Sequence, residues 1–227
     1  VDSFAIPDSE QVSPAATLRW VTIAVLMAGA LGLYLSASRG EDIRGAVHNA
    51  SGVAALLGLA EKFAARPMEE ADVWIAATGC HETWMAGMRH LLADPAIDRK
   101  RTWILNLEGV GAGSLHYLKT EGFMHTLHAD KTLASLADTL RVGRPVQAGN
   151  LRAIPTAAHV PLMRGMKAMT LMGLDRDGLP PHWNQPTDRI SEVDETGVAE
   201  TIEFSELLLR ALARSQAGES PAADNKG

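Results

Sequence analysis

The sequence has one cysteine, Cys80, in 227 residues. That excludes an internal disulfide, and thiol content says nothing about the redox compartment. Cys-x-x-Cys and His-x-x-x-His spacings are both absent, so any metal site must be assembled from residues far apart in the chain. Basic residues are in deficit: 21 Lys and Arg against 27 Asp and Glu give a net charge of −6 and a pI of about 5.7. A nucleic-acid binder would show a basic stripe, and that class is set aside. The chain opens on Val1 rather than Met, with no leader peptide pattern ahead of it, which reads as a processed or incomplete N-terminus.

What is present fits one globular domain with a core, at 46% hydrophobic and 21% charged residues. Residues 1–18 are polar and contain proline, and read as a loop. An apolar helix follows over 19–38, with no charge between Arg19 and Arg39. A bilayer crossing needs ~20 apolar residues, so the run from Trp20 to Leu35 stands at that threshold. Trp20 and Tyr34 occupy the places of interfacial anchors. The small residues Ala24, Ala28, Gly29, Ala30 and Gly32 suit a buried core helix equally. Membrane-anchored and soluble readings are both open.

From residue 39 to 215 the pattern is that of an α/β domain. Apolar residues at helical spacing predict a helix over Ser51–Ala65, ended by Pro67. Short apolar runs predict buried strands at 72–78, 101–107, 115–119, 151–154 and 167–173. Helices are predicted at 84–92, 131–142 and 198–213, and residues 216–227 have the composition of a disordered tail. Alternating strands and helices predict a three-layer sandwich, a mostly parallel mixed sheet with helices on both faces. In such sheets chemistry sits at the carboxyl ends of strands. His81 and Glu82 follow one predicted strand, Glu108 follows the next, and His48 precedes a helix. His182, Asn184 and Asp188 lie in the loop after the last strand. Imidazoles and carboxylates are the usual ligands of catalytic zinc, although a lone His after a strand is more often a hydrogen-bonded structural residue.

The motifs together resemble those of the co-catalytic zinc aminopeptidases. Gly45-Ala-Val-His-Asn-Ala-Ser-Gly-Val-Ala54 is similar to that family's Gly-Ala-x-Asp-Asn-Ala-Ser-Gly-Val-Ala segment. Thr78-Gly-Cys-His-Glu-Thr-Trp-Met-Ala-Gly-Met-Arg-His90 resembles its strand-end pair of glutamates. Ile104-Leu-Asn-Leu-Glu-Gly-Val-Gly111 resembles Asn-Leu-Asp-x-x-Gly, and Trp183-Asn-Gln-Pro-Thr-Asp188 resembles Trp-His-x-Pro-x-Asp. Val1-Asp2-Ser3 looks like the end of a His-x-Asp-Ser motif. The resemblance implies a zinc-exopeptidase-like fold and a metal-activated water attacking a peptide or small amide substrate.

Carried over residue by residue, the resemblance places His48 at the position of the family's bridging Asp. An imidazole offers one lone pair to one metal and cannot bridge two. His81 stands at the general-base Glu and can itself take a proton. Glu82 keeps the metal-binding Glu, and Glu108 replaces a ligating Asp. Asn184 replaces the late His, with His182 two residues earlier as a substitute, and Asp2 is the orienting partner of the first His. The expectation is one zinc ion rather than two, held by His48, Glu82 and Glu108. The rival expectation is a catalytically inactive relative serving as an interaction or receptor-like module. One bilayer crossing at 20–35 would also separate Asp2 from His48, which the family places at one site.

Overall fold

The computed structural model describes residues 13–40, 42–122, 124–152 and 154–218. The chain forms two units, Val1–Asp42 and Ile43–Gly227. In the first, helix α1 spans Pro14–Arg39, so it takes in residues expected to be loop. Ser13 caps it by accepting the Ala16 N–H, and Pro14 occupies the first turn, where no amide donor is needed. Its apolar side chains face solvent: Leu33 is 75% and Leu26 66% exposed. The span Pro14–Ser38 is long and apolar enough to cross a membrane, and none of it is buried in protein. A helix of this kind could be a membrane anchor or a signal sequence.

The second unit is built on a mixed sheet of β1 (Trp103–Leu107), β2 (Ser114–Glu121), β3 (Leu127–His128), β4 (Val146–Asn150) and β5 (Lys167–Leu174). The order is β1-β5-β2-β3, with β4 also on β2. β1 runs parallel to β5, and β4 parallel to β2; β2 is antiparallel to β5 and to β3. Side chains alternate across the sheet. Leu105, Leu115, Tyr117, Met169 and Leu171 enter one core with α2 (Ser51–Ala65), α4 (Lys131–Leu140) and α6 (Glu195–Gln216). Ile104 joins Met85, Met88 and Val160 on the opposite face, beside α3 (Ala86–Leu91) and α5 (His159–Met163). Leu118, Met172 and Leu174 pack there with Leu151, Ile154 and Trp183. The expected three layers are present.

Helix caps and one ion cluster fix the first face. Asp130 accepts the Thr132 and Leu133 amides to start α4, and Asp194 accepts Thr196 to start α6. Glu206 on α6 is buried and holds Lys62, Arg66 and Arg210, each at 2.9 Å, which ties α2 to α6.

Two strand expectations are corrected. Residues 72–78 run without ladder pairing, and Trp74 and Ile75 are 60% and 40% exposed. An apolar run becomes a buried strand only where a neighbouring strand can take its amides, and among the described residues none does. The strand expected at 151–154 lies instead at Val146–Asn150. Leu151 and Ile154 are buried as core, but the chain leaves the sheet before Pro155. The polar composition of Gln147, Gly149 and Asn150 hid an edge strand.

Leu208 is fully buried between α2, α4 and the sheet. Leu208→Ala should lower stability by ~2–5 kcal/mol, read as a lower urea midpoint at unchanged slope.

Candidate metal and catalytic site

His48 is placed by an unusual helix start. Residues Ala46–Ala50 form one π-helical turn that runs directly into α2, preceded by Gly45 in the left-handed region. Such wide turns are frequent at functional sites. Three contacts fix this turn. The Val47 N–H donates to Asp188 Oδ1 at 2.6 Å, Ser51 Oγ donates to the Val47 carbonyl at 2.5 Å, and the Gly109 N–H donates to the His48 carbonyl at 2.8 Å. Asp188 is 1% exposed, so the loop residue singled out from sequence is a structural acceptor. Close approach explains two glycines. A Cβ on Gly52 would lie 2.6 Å from the Leu107 carbonyl oxygen, and Gly109 has φ +61° with His48 Nδ1 beside it.

Glu108 follows β1, with its amide donating to the Leu171 carbonyl of β5. It lies at the carboxyl end of the parallel pair β1–β5, the place where α/β sheets carry their chemistry. His48 Nε2 and His81 Nε2 lie 3.5 and 3.6 Å from Glu108 Oε1. The two rings are 6.4 Å apart and nearly perpendicular. These separations are too long for hydrogen bonds, and Oε1 is buried with no hydrogen-bond partner, as is His48 Nδ1. Oε2 is satisfied, by Ala157 N–H at 3.0 Å and Asn106 Nδ2 at 3.1 Å. Burial works to raise the Glu108 carboxyl, but the approach of His48, the charges of His81 and His48, and the Ala157 amide together hold it below the ordinary value.

The other expected site residues stand apart. Glu82 is exposed, and Asn184 is exposed with φ 53°. His182 Nδ1 contacts Thr187 Oγ1 at 3.0 Å. Among the described residues none of these three forms a hydrogen bond or ion pair with His48, His81 or Glu108. Asp2 lies outside the described residues. Every non-glycine residue with positive φ among the described ones falls in the two loops that carry site candidates: Cys80, Trp84 and Met85 in one, His182 and Asn184 in the other. Left-handed backbone costs ~1–2 kcal/mol per such residue, and strain of this kind clusters at functional sites. It also explains why the helix expected from Trp84 begins only at Ala86.

The donor set suits zinc, being imidazole nitrogen with carboxylate oxygen. The 3.5 Å separation of Glu108 Oε1 from His48 Nε2 resembles a tetrahedral edge of ~3.4 Å built on zinc bonds of ~2.1 Å. Among the described residues, however, no three His, Cys, Asp or Glu side chains already form a group able to hold an ion. The fit is therefore one of chemistry and of two positions, with Glu82 turned outward.

The fold is that of a zinc-exopeptidase-like α/β domain. The model of peptidase family M28 matches residues 29–208, and the chain belongs to that family. Among solved structures it is similar to the Bacillus subtilis zinc aminopeptidase BSAP, at 18% identity and a TM-score of 0.58, over 74% of this chain and 42% of that one. The Legionella pneumophila aminopeptidase LapA matches at 14% identity and 0.56, over 77% and 48%. A Bacteroides thetaiotaomicron glutaminyl cyclase matches at 20% and 0.52, over 73% and 63%. By sequence, no curated protein matches. The chain spans less than half the length of these aminopeptidases.

Glu108→Gln removes a carboxylate whose folded-state pKa is depressed. Such a group stabilises the fold above its ordinary value of 4.5, and that contribution fades as pH falls through the lower folded value. The stability difference between the native chain and Glu108→Gln should therefore shrink below pH ~4.5 in an acid-unfolding series.

Proposed function

We propose that this chain is a metal-dependent hydrolase domain of aminopeptidase type, acting on the amide bond next to a free N-terminus. The observation that carries this reading is the meeting of His48 and His81 at Glu108 in a member of peptidase family M28. His48 and Glu108 would hold one zinc ion, and Glu82 would become the third ligand when the loop from Gly79 to Met85 turns inward. When bound, zinc supplies Lewis acidity towards the amide carbonyl and lowers the pKa of the attacking water.

In this reading His81 is the general base. Its side chain is one-third exposed, so it meets solvent, while its Nε2 faces Glu108. It accepts the water proton and returns it to the leaving amine, and the Glu108 charge stabilises the imidazolium formed between these steps. A histidine suits both halves because its protonation changes near neutral pH. The glutaminyl cyclase similarity is a reminder that this architecture hosts other amide chemistry.

A second reading has its own observation. With Glu82 outside, Asn184 in place of a His, and no three-ligand group among the described residues, the domain would serve as an inactive interaction module. In either reading α1 would anchor the protein in a membrane.

Bound zinc per chain and hydrolysis of aminoacyl-nitroanilides separate the two. One equivalent of zinc with turnover supports the hydrolase, and neither supports the module. In an active preparation His81→Ala should lower kcat/KM ~10²–10⁴-fold with zinc content unchanged. Leu26→Arg, in the middle of α1, should cost ~3 kcal/mol of insertion and move the protein out of the membrane pellet on ultracentrifugation.

A further inference from the structure

Beneath Glu108, on the face opposite α2 and α6, lies a set of buried polar side chains that neither the sequence motifs nor the proposed chemistry uses. Thr156 and Thr170 are fully buried, and Glu121 is 3% exposed. Thr156 Oγ1 lies 2.8 and 2.9 Å from the two Glu121 oxygens. Thr170 Oγ1 lies 2.8 Å from Glu121 Oε2, and the two threonine oxygens are themselves 2.8 Å apart.

Counting protons identifies the charge state. The three groups make four oxygen–oxygen contacts at hydrogen-bond distance; the two between Thr156 and the Glu121 carboxyl can share one hydrogen, so the three residue pairs need three hydrogens. Two threonine hydroxyls supply two hydrogens, and an ionised carboxylate supplies none. Were both hydroxyls turned to a carboxylate, the threonine oxygens would face each other at 2.8 Å with lone pairs only. A carboxylic acid supplies the third hydrogen. The ring then runs from the Glu121 O–H to Thr156, from Thr156 to Thr170, and from Thr170 back to the other Glu121 oxygen. The remaining acceptor capacity is also filled. Thr156 Oγ1 accepts the Ala158 N–H at 3.1 Å, and Thr170 Oγ1 accepts Asn106 Nδ2 at 3.4 Å.

Asn106 connects this ring to the site. Its Nδ2 carries two hydrogens, one directed to Thr170 and the other to Glu108 Oε2 at 3.1 Å. Thr156 fixes the same short segment whose Ala157 amide donates to Glu108 Oε2. Both donors that hold Oε2, and so leave Oε1 facing the histidines, are seated on the ring.

We propose that Glu121 is a buried neutral carboxylic acid that closes a hydrogen-bonded ring with Thr156 and Thr170 and thereby acts as a positioning residue for Glu108. The positioning half rests on Glu108 being the site carboxylate, as proposed above; the protonation half does not. Burial, first, and the neighbouring Glu108 charge raise the Glu121 carboxyl against the Thr156 and Thr170 hydroxyls and the Thr156 backbone amide, which lower it; the net direction agrees with the proton count.

The test uses the full chain in native, Glu121→Gln, Glu121→Ala and Thr170→Val forms. A glutamine amide donates and accepts as the acid does, so Glu121→Gln should keep the melting temperature, whereas Glu121→Ala should lower it. The infrared difference between native and Glu121→Gln protein at neutral pH should contain the carbonyl stretch of a protonated carboxyl. Loss of a carboxylate band instead would overturn the protonation. Crystal structures supply the second readout. In Thr170→Val, Glu108 should turn so that Oε1 no longer sits within 4 Å of both histidines, and in Glu121→Gln it should not move. A Glu108 carboxyl unmoved in Thr170→Val would overturn the positioning role. Neither readout involves metal, so failure to bind zinc would count against the hydrolase reading alone.

Discussion

One carboxylate organises this domain. Glu108 is buried at a strand end, where desolvation opposes its charge, and two imidazoles and a backbone amide outweigh that opposition. The elements that meet there are the ones the fold brings together: the π turn before α2 with His48, the loop after residue 78 with His81, and β1 and β5 with Asn106 and Thr170. Asp188, far along the chain, contributes by accepting the Val47 amide and so fixing the turn that carries His48.

The two oxygens of this carboxylate are treated differently. Oε2 is held by Ala157 and Asn106, whereas Oε1 has no hydrogen-bond partner. A buried oxygen without a donor costs ~1–3 kcal/mol, and the domain carries that cost at the point nearest both histidines. The strained backbone lies in the loops bearing His81 and His182. The left-handed residues and the unpartnered Glu108 Oε1 and His48 Nδ1 thus fall in the segments that carry the site candidates.

Much of this was legible in the sequence. The helices at 51–65 and 131–140, the strands from residues 103 and 167, and the layered architecture follow from apolar periodicity. The convergence of His48, His81 and Glu108 followed from motif order. Glu121 was not legible, for a geometric reason. Strict alternation from Tyr117 would send it to the face of α4, but β2 has an irregularity between Leu118 and Thr120, and the extra residue returns Glu121 to Thr156 and Thr170. The outward position of Glu82 was equally hidden, because it depends on left-handed residues at Cys80, Trp84 and Met85 that carry no glycine signal. The segment at 72–78 looked like a strand because local composition reports apolarity and not the availability of a neighbour.

That last segment and β1 share a consequence. Among the described residues Trp103–Leu107 pairs with β5 alone, and its residues are all partly exposed. Along the other side, no described strand pairs with its amides and carbonyls. Trp74 and Ile75 add uncovered apolar area to the same domain. A border of this kind behaves as a growing point: it can accept a further strand in register, and at high concentration it can equally recruit the same border of another molecule.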